Sequence, residues 1–191
     1  METDNPHNKV LFIQHLNTPL GEMIAGATNE GICFLKFSDK TMFEKEIEDI
    51  RNHINAVILD KTHRNIEQLR KELLEYFTGE RKSFDVPVYL IGTDFQKNVW
   101  KLLSTIPYGE TLSYQQQAGR LGKLSSIRAV AHANGCNRIS IVIPCHRVIG
   151  KDGKLTGYSG GIERKQLLLL HEKHYSYNFT PDLFYGLLNI P

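Results

Sequence analysis

What this sequence lacks narrows its class before any motif is read. No apolar run approaches the roughly 20 residues that a membrane-spanning helix needs, so no membrane partner is expected. The first ten residues, METDNPHNKV, are polar and hold no signal-peptide core, which points to the cytoplasm, or the nucleoplasm of a nucleated cell. Cysteine is scarce, with Cys33, Cys136 and Cys145 the only three in 191 residues. So sparse and odd a set argues against a disulfide framework. Internal repeats and low-complexity tracts are missing as well. What remains is a globular chain of ordinary composition, long enough for one domain or for two small ones sharing a core.

Acidic and basic residues nearly balance, but they are not evenly placed. Residues 1–85 carry 11 Lys and Arg against 15 Asp and Glu, whereas residues 86–174 carry 12 against 5. With Asp182 in the tail, the chain ends at a net charge of +2. A basic second half suits an anionic polymer. Charge alone leaves a solvated basic face with no partner equally open.

Three runs rich in β-branched and aromatic residues, Val10 to His15, Leu20 to Ala27 and Gly31 to Phe37, are expected to be strands. Pro19-Leu20-Gly21 and Asn29-Glu30-Gly31 supply the turns between them. Thr41 to Asn55 has helical spacing, and Ala56 to Leu59 suits one more strand. Ile66, Leu69, Leu73 and Tyr76/Phe77 recur at helical spacing and predict a helix over 63–77, closed by Thr78-Gly79. Residues 79–92 have no clear period and are expected to be a linker. Thr93 or Asp94 can cap a helix in which Phe95, Val99, Leu102, Leu103 and Ile106 share a face. Ser113 caps a short helix from Tyr114 to Leu121, Gly122-Lys123-Leu124 turns, and Ser125 or Ser126 caps the helix carrying IRAVAHAN. Two short helices joined by a tight glycine-containing turn form a helix-turn-helix. ISIVIP is expected to be extended, and ERKQLLLLHEKH to be the final helix.

The chain therefore reads as α+β. A small N-terminal α/β domain with a short antiparallel sheet (1–85) precedes a mainly helical domain with a helix-turn-helix (86–174). A tail rich in Tyr, Phe and Leu (175–191) follows, its aromatic and aliphatic residues suited to covering an apolar patch.

The stretch Ile143 to Gly150, IPCHRVIG, sets a cysteine beside a histidine and an arginine in an apolar run. Three fates are open to that thiol: nucleophile, buried hydrophobe or metal ligand. A thiol with the ordinary pKa of about 8.5 is mostly protonated at neutral pH, so a nucleophile needs a base and a stabilised anion. Neighbours in an extended chain point to opposite sides, so a direct Cys145–His146 hydrogen bond requires a turn, or a water between them. The base also needs a group on its other ring nitrogen, and Glu172 is a candidate. Burial suits Cys33, which stands between Ile32 and Phe34. Cys145, His146, His171 and His174 lack the paired spacing of structural zinc sites.

Four pieces, GTDFQKNVWKLLSTIPYGETLSY, IRAVAHAN, IVIPCHRVIG and LTGYSGGIERKQLLLLHE, stand in the order and spacing of one family. Residues 93–174 resemble the C-terminal domain of the O6-alkylguanine-DNA alkyltransferases. Nothing in the chain suggests a coiled coil or other pairing element, so a monomer is expected, and the resemblance implies that it docks on the minor groove of double-stranded DNA with little sequence preference. It implies that a damaged guanine, chiefly O6-methylguanine and also O4-methylthymine as an open case, is rotated out of the duplex. The alkyl group then passes once and irreversibly to the protein. Cys145 resembles the alkyl acceptor, His146 the base acting through water, Glu172 its orienting carboxylate, and Tyr114 the donor to guanine N3. Arg128 resembles the residue that fills the space of the extruded base, and Ala129, Ala131 and Ala133 keep its helix slim enough for the narrower groove. Tyr158, Ser159 and Gly160 resemble the loop lining the alkyl pocket, Ser113 belongs to the DNA-binding set, and Asn137 resembles the hinge asparagine. Many relatives follow that asparagine with proline, and here Arg138 follows, which leaves the hinge stiffness open and offers a phosphate contact. No cofactor is implied. Some relatives bind zinc in the N-terminal domain, but Cys33 stands alone here.

Overall fold

The computed structural model describes residues 9–39 and 43–176. The expectations for Thr41, Met42 and the tail beyond Ser176 lie outside the described residues.

Alternation and β-branching build the first layer. Strands β1 (Lys9–Thr18), β2 (Gly21–Thr28) and β3 (Gly31–Phe37) form an antiparallel meander. Helix α1 (Phe43–Ile54) returns the chain so that β4 (Ala56–Leu59) pairs parallel to β1, giving the order β3-β2-β1-β4. Every residue of β3 is buried, because both faces of the sheet are covered. Cys33 and Phe34 pack with Ile50 and Ile54 of α1. Ile32, Leu35 and Phe37 join a larger cluster that runs through α2 (Arg64–Phe77) into the second half of the chain, as far as Leu168.

The segment expected to be a linker does more than cross over. Ile32 N–H donates to the Pro87 carbonyl at 2.7 Å, and Tyr89 N–H donates to the Ile32 carbonyl at 2.8 Å. Residues 87–89 thus extend the free edge of β3. Farther along that edge, Leu35 donates to Arg138 and accepts from Ser140, at 2.8 and 2.9 Å. The N-terminal sheet is thereby joined to the chain between the helix-turn-helix and Cys145. The segment shows no period because side chains replace a ladder there: Glu72 accepts both the Asp85 and Val86 N–H groups.

The second half opens with α3 (Asp94–Leu103), held at its start by a reciprocal capping box between Thr93 and Gln96. A second box, Ser113 with Gln116, starts α4 (Tyr114–Arg120). Gly122, with φ of +65°, supplies the left-handed turn, and α5 (Ile127–Gly135) completes the helix-turn-helix. The expected serine cap is not there. Leu124–Ser126 wind into a 3-10 turn that runs into α5, and neither element has a side-chain cap. Ser126, at φ −116° and ψ 27°, is not extended as a capping residue is. The two helices are instead locked by an amide pair. Gln117 Nε2 donates to Asn134 Oδ1 at 3.0 Å, and Asn134 Nδ2 donates to Gln117 Oε1 at 2.7 Å, both side chains buried.

ISIVIP also departs from expectation: it is a tight turn and not a strand. Ile143 N–H donates to Ile139 at 3.0 Å, and Ile141 takes a φ of +70°. That conformation is costly for a β-branched side chain, and burial of Ile139, Ile141 and Ile143 in the core cluster holds it. A two-residue parallel pair, β5 (Leu112–Ser113) with β6 (Val148–Ile149), ties the entry to α4 to the exit of this turn. Helix α6 (Ile162–Ser176) closes the fold. No helix among the described residues is long and apolar enough to cross a membrane.

Replacing Asn134 by leucine strands the buried Gln117 amide and should lower stability by about 1–3 kcal/mol. The Gln117→Leu/Asn134→Leu double variant should lose less than the two single losses combined, as read by urea unfolding. Additive losses would show that the pair is not a unit.

Candidate active site

The residues Cys145–Arg147 form a single 3-10 turn behind Pro144. The backbone does turn here, but without making a direct Cys145–His146 bond: it sends the two side chains to different partners. The Cys145 sulfur, in a residue only 5% exposed, accepts a hydrogen bond from Asn137 Nδ2 at 3.2 Å. The same amide donates to the Ile143 carbonyl at 2.8 Å, and Asn137 Oδ1 accepts from Ile139 N–H at 3.0 Å. Asn137 therefore braces the turn from inside and points one N–H at the sulfur.

His146 is fully buried and faces the other way. Its Nε2 lies 2.7 Å from Glu172 Oε1. The carboxylate can only accept, so the network assigns the proton to Nε2 and leaves the lone pair on Nδ1. Nδ1 is buried and has no hydrogen-bond partner among the described residues. No hydrogen bond joins the Cys145 sulfur to the ring among those residues.

Glu172, from α6, collects more than the histidine. Tyr76 Oη donates to Oε1 at 2.9 Å, Arg147 Nη2 to Oε1 at 3.0 Å, Arg147 Nε to Oε2 at 2.9 Å, and Gly109 N–H to Oε2 at 3.0 Å. Burial would push this carboxyl up. The His146 contact and the two-pronged Arg147 bond outweigh it and hold the group well below the usual carboxylate range. Arg147, the arginine of the IPCHRVIG stretch, is thus committed to the carboxylate.

Burial dominates the other titratable groups. It pushes the Cys145 thiol up, against the downward pull of the Asn137 bond and of the Lys36 and Lys165 ammonium groups. It holds the His146 imidazole below its ordinary value, against the pull of Glu172. The resting pair is therefore neutral thiol and neutral imidazole. Burial also raises Tyr114, opposed by its bond to Thr156. Lys165, fully buried on α6, donates to the carbonyls of Val148 and Thr156 at 2.6 and 2.7 Å, and burial lowers it to about 8.

The remaining predicted residues fall around this centre. Tyr114 opens α4, and its hydroxyl donates to the carbonyls of Thr156 and Gly157 at 3.2 and 3.4 Å. The 157–161 loop is fitted closely: a Cβ on Gly160 would stand 2.6 Å from the Tyr158 ring and 2.9 Å from Phe37. Tyr158 is buried edge-on to the His146 ring at 6.4 Å, and Ser159 is half-buried. Ser113 Oγ accepts from the Gln116 N–H at 3.1 Å. Arg128 and Ala129 are exposed on α5. Arg138, offered as a phosphate contact, donates to the Glu46 carbonyl of α1 at 3.3 Å and is half-buried. Cys33 is 1% exposed, with its thiol pushed up to about 12 by burial, as a packed core cysteine should be. No group of three or more His, Cys, Asp or Glu side chains among the described residues could hold a metal ion.

Three participants had no signal strong enough to find in the sequence. Tyr76 reads as one more apolar position of α2, Lys165 as a charged residue near a helix start, and Lys36 as the outward position of a strand. Only their buried polar contacts reveal them.

Comparison with known proteins covers both halves of the chain. Residues 11–90 match the family described as 6-O-methylguanine DNA methyltransferase, ribonuclease-like domain. Residues 94–174 match 6-O-methylguanine DNA methyltransferase, DNA binding domain. The chain is 59% identical over 102 residues to a Mycobacterium tuberculosis methylated-DNA–protein-cysteine methyltransferase, covering 53% of this chain and 62% of that protein. It is 40% identical over 176 residues to the inducible Bacillus subtilis protein of the same name, covering 92% and 96% of the two chains. The crystal structure of M. tuberculosis O6-methylguanine methyltransferase superposes with a TM-score of 0.74 at 38% identity, over 90% of this chain and 96% of that one. That of the M. tuberculosis OGT in complex with DNA superposes at 0.73 and 39% identity, over 86% and 94%.

Two outcomes follow from the buried charges. Glu172→Gln leaves Arg147 buried without its counter-ion and should cost roughly 3–5 kcal/mol of stability in urea unfolding; a loss below 1 kcal/mol would mean the pair is dispensable. Burial also keeps His146 and His171 below their ordinary values. An unfolded chain takes up protons on these rings near pH 6.5 that the folded chain refuses. The stability they contribute is full above that pH and is lost as pH falls toward the folded values. Unfolding free energy should decline from about pH 7 to 5.5, and His146→Gln should make that decline shallower. An unchanged slope would show that His146 titrates normally.

Proposed function

We propose that this chain, which belongs to the 6-O-methylguanine DNA methyltransferase family, removes the alkyl group from O6-alkylguanine in double-stranded DNA and keeps it on Cys145. The observation that carries this reading is the division of labour in one turn: a sulfur braced by Asn137, beside an imidazole whose free nitrogen is backed by a buried carboxylate.

The helix-turn-helix docks a monomer on the minor groove. Helix α5 presents Arg128 and Ala129 to solvent, and alanines leave it slim enough for a narrow groove while reading no base edges. Extruding the lesion costs a few kcal/mol of stacking, and a planar guanidinium at Arg128 recovers part of it. The base enters between Tyr114 and the 158–160 loop, where Ser159 and the loop N–H groups can face its oxygen.

Nδ1 of His146 takes the thiol proton through a water molecule, and Glu172 steadies the imidazolium that results. The Asn137 N–H stabilises the thiolate. The sulfur attacks the alkyl carbon, forming the S–C bond as the C–O6 bond breaks. The electron pair stays on the guanine, whose N3 accepts a proton from Tyr114. The proton held by His146 then passes through water to the Tyr114 phenolate, leaving neutral imidazole, neutral phenol, guanine and the thioether. The thioether has no good leaving group, so each molecule acts once. O6-methylguanine is the principal substrate, and O4-methylthymine offers an analogous alkyl-bearing oxygen.

Incubation with an oligonucleotide carrying O6-methylguanine should raise the intact mass by one CH2 unit, and Cys145→Ala should abolish the gain. His146→Gln should slow the transfer by about 10²-fold or more, the scale of a lost general base. Repeated turnover on one molecule, or unchanged mass with intact DNA binding, would overturn the reading.

A further inference from the structure

We propose that Lys36, on strand β3 of the N-terminal half, is a positioning residue of the transfer site: its ammonium holds Ser159 and adds positive potential where the Cys145 thiolate forms. The inference rests on the reaction proposed above and assigns the N-terminal sheet a part in it.

Lys36 is a poor surface lysine. Its residue is 7% exposed, and Nζ donates to Ser159 Oγ at 3.2 Å, its one hydrogen bond among the described residues. An ammonium has three donors, so two are left unspent in a place with little water. The nearest counter-charge, Glu46 of α1, stands 3.6 Å away, beyond hydrogen-bond reach, and its Oε2 is itself buried without a hydrogen-bond partner. A cation with unspent donors beside the alkyl-pocket loop can answer a new negative charge. The sheet supports that loop elsewhere too. Phe37, next in β3, lies against Gly160, and the Arg164 guanidinium stacks on Phe37 at 4.1 Å while donating to the Gly160 carbonyl at 3.1 Å.

The titratable and charged groups around the sulfur come from several elements. Lys36 comes from β3, Lys165 from α6, Tyr114 from α4, Tyr158 from the loop, and His146 from the turn itself, with Glu172 and Arg147 behind that ring. Tyr114 and Tyr158 stay neutral, and the Arg147 and Glu172 charges face each other. Lys165 is engaged by two carbonyls. Lys36 is the cation whose strength Glu46 can tune.

The test is the pH dependence of Cys145 alkylation by iodoacetamide in the full chain, with each cysteine resolved by peptide mass. The half-buried thiol of Cys136, just past the C-terminal end of α5, is the internal control. Lys36→Met should raise the Cys145 midpoint by about half a pH unit or more, since an opposite charge nearby favours the thiolate. Lys36→Arg should restore it, Glu46→Gln should lower it, and Cys136 should not move. Methyl transfer from DNA at neutral pH should fall several-fold in Lys36→Met and recover in Lys36→Arg. An unmoved Cys145 midpoint in a Lys36→Met protein of unchanged unfolding midpoint would overturn the proposal, as would parallel shifts at Cys136. If the wild type takes no methyl group from DNA yet the Cys145 midpoint still moves, the transfer reaction fails and the Lys36 effect on the thiolate stands.

Discussion

The carboxylate of Glu172 is the constraint on which the rest of this structure depends. A fully buried anion is tolerable only if every lone pair is matched. Here the matching groups come from three separate places, Tyr76 from α2, Gly109 from the turn after α3, and His146 and Arg147 from the reactive turn, while α6 carries the anion itself. One charge thereby fixes the N-terminal half, the entry to the helix-turn-helix and the cysteine turn relative to one another. The same arrangement sets the chemistry. A carboxylate so well satisfied stays ionised, and an ionised carboxylate keeps the His146 proton on Nε2 and the lone pair on Nδ1.

A tension runs through the site between packing and reactivity. Cys145 belongs to the same apolar cluster as Ile143, Val148 and Leu168, and that burial works against the thiolate. The structure answers with directed polar groups rather than with solvent: an amide N–H at 3.2 Å, and two lysines of which one is saturated by carbonyls and one is not. Keeping the resting thiol neutral protects it from incidental oxidants, which react with thiolate. Activation is then left to the moment when a base, a relay and an electrophile meet.

The helix-turn-helix was legible in the sequence because its signals are local. The Ser113 capping box, Gly122 and the glycine-free run of α5's first turns need no distant partner to be read. The local signals failed where distant contacts won. ISIVIP has the composition of a buried strand, yet Asn137 and the edge of β3 take its backbone bonds and fold it into a turn. The serine expected to cap α5 lost that role to a 3-10 turn. Residues 79–92 looked like a linker because their partners, Glu72 and β3, lie elsewhere in the chain.

Periodicity and turn chemistry were enough to determine the α+β class and most of the element order, and residue chemistry left Cys145, His146 and Glu172 as candidates whose roles came from the family resemblance. The class and the order follow from residue type and near-neighbour geometry. The tertiary structure alone decided that Arg147 serves Glu172 instead of the sulfur, that Tyr76 completes the carboxylate shell, and that Lys36 reaches Ser159 across 123 positions of sequence. Those assignments depend on which side chains lose their water together, and desolvation is a property of the assembled core and not of any segment.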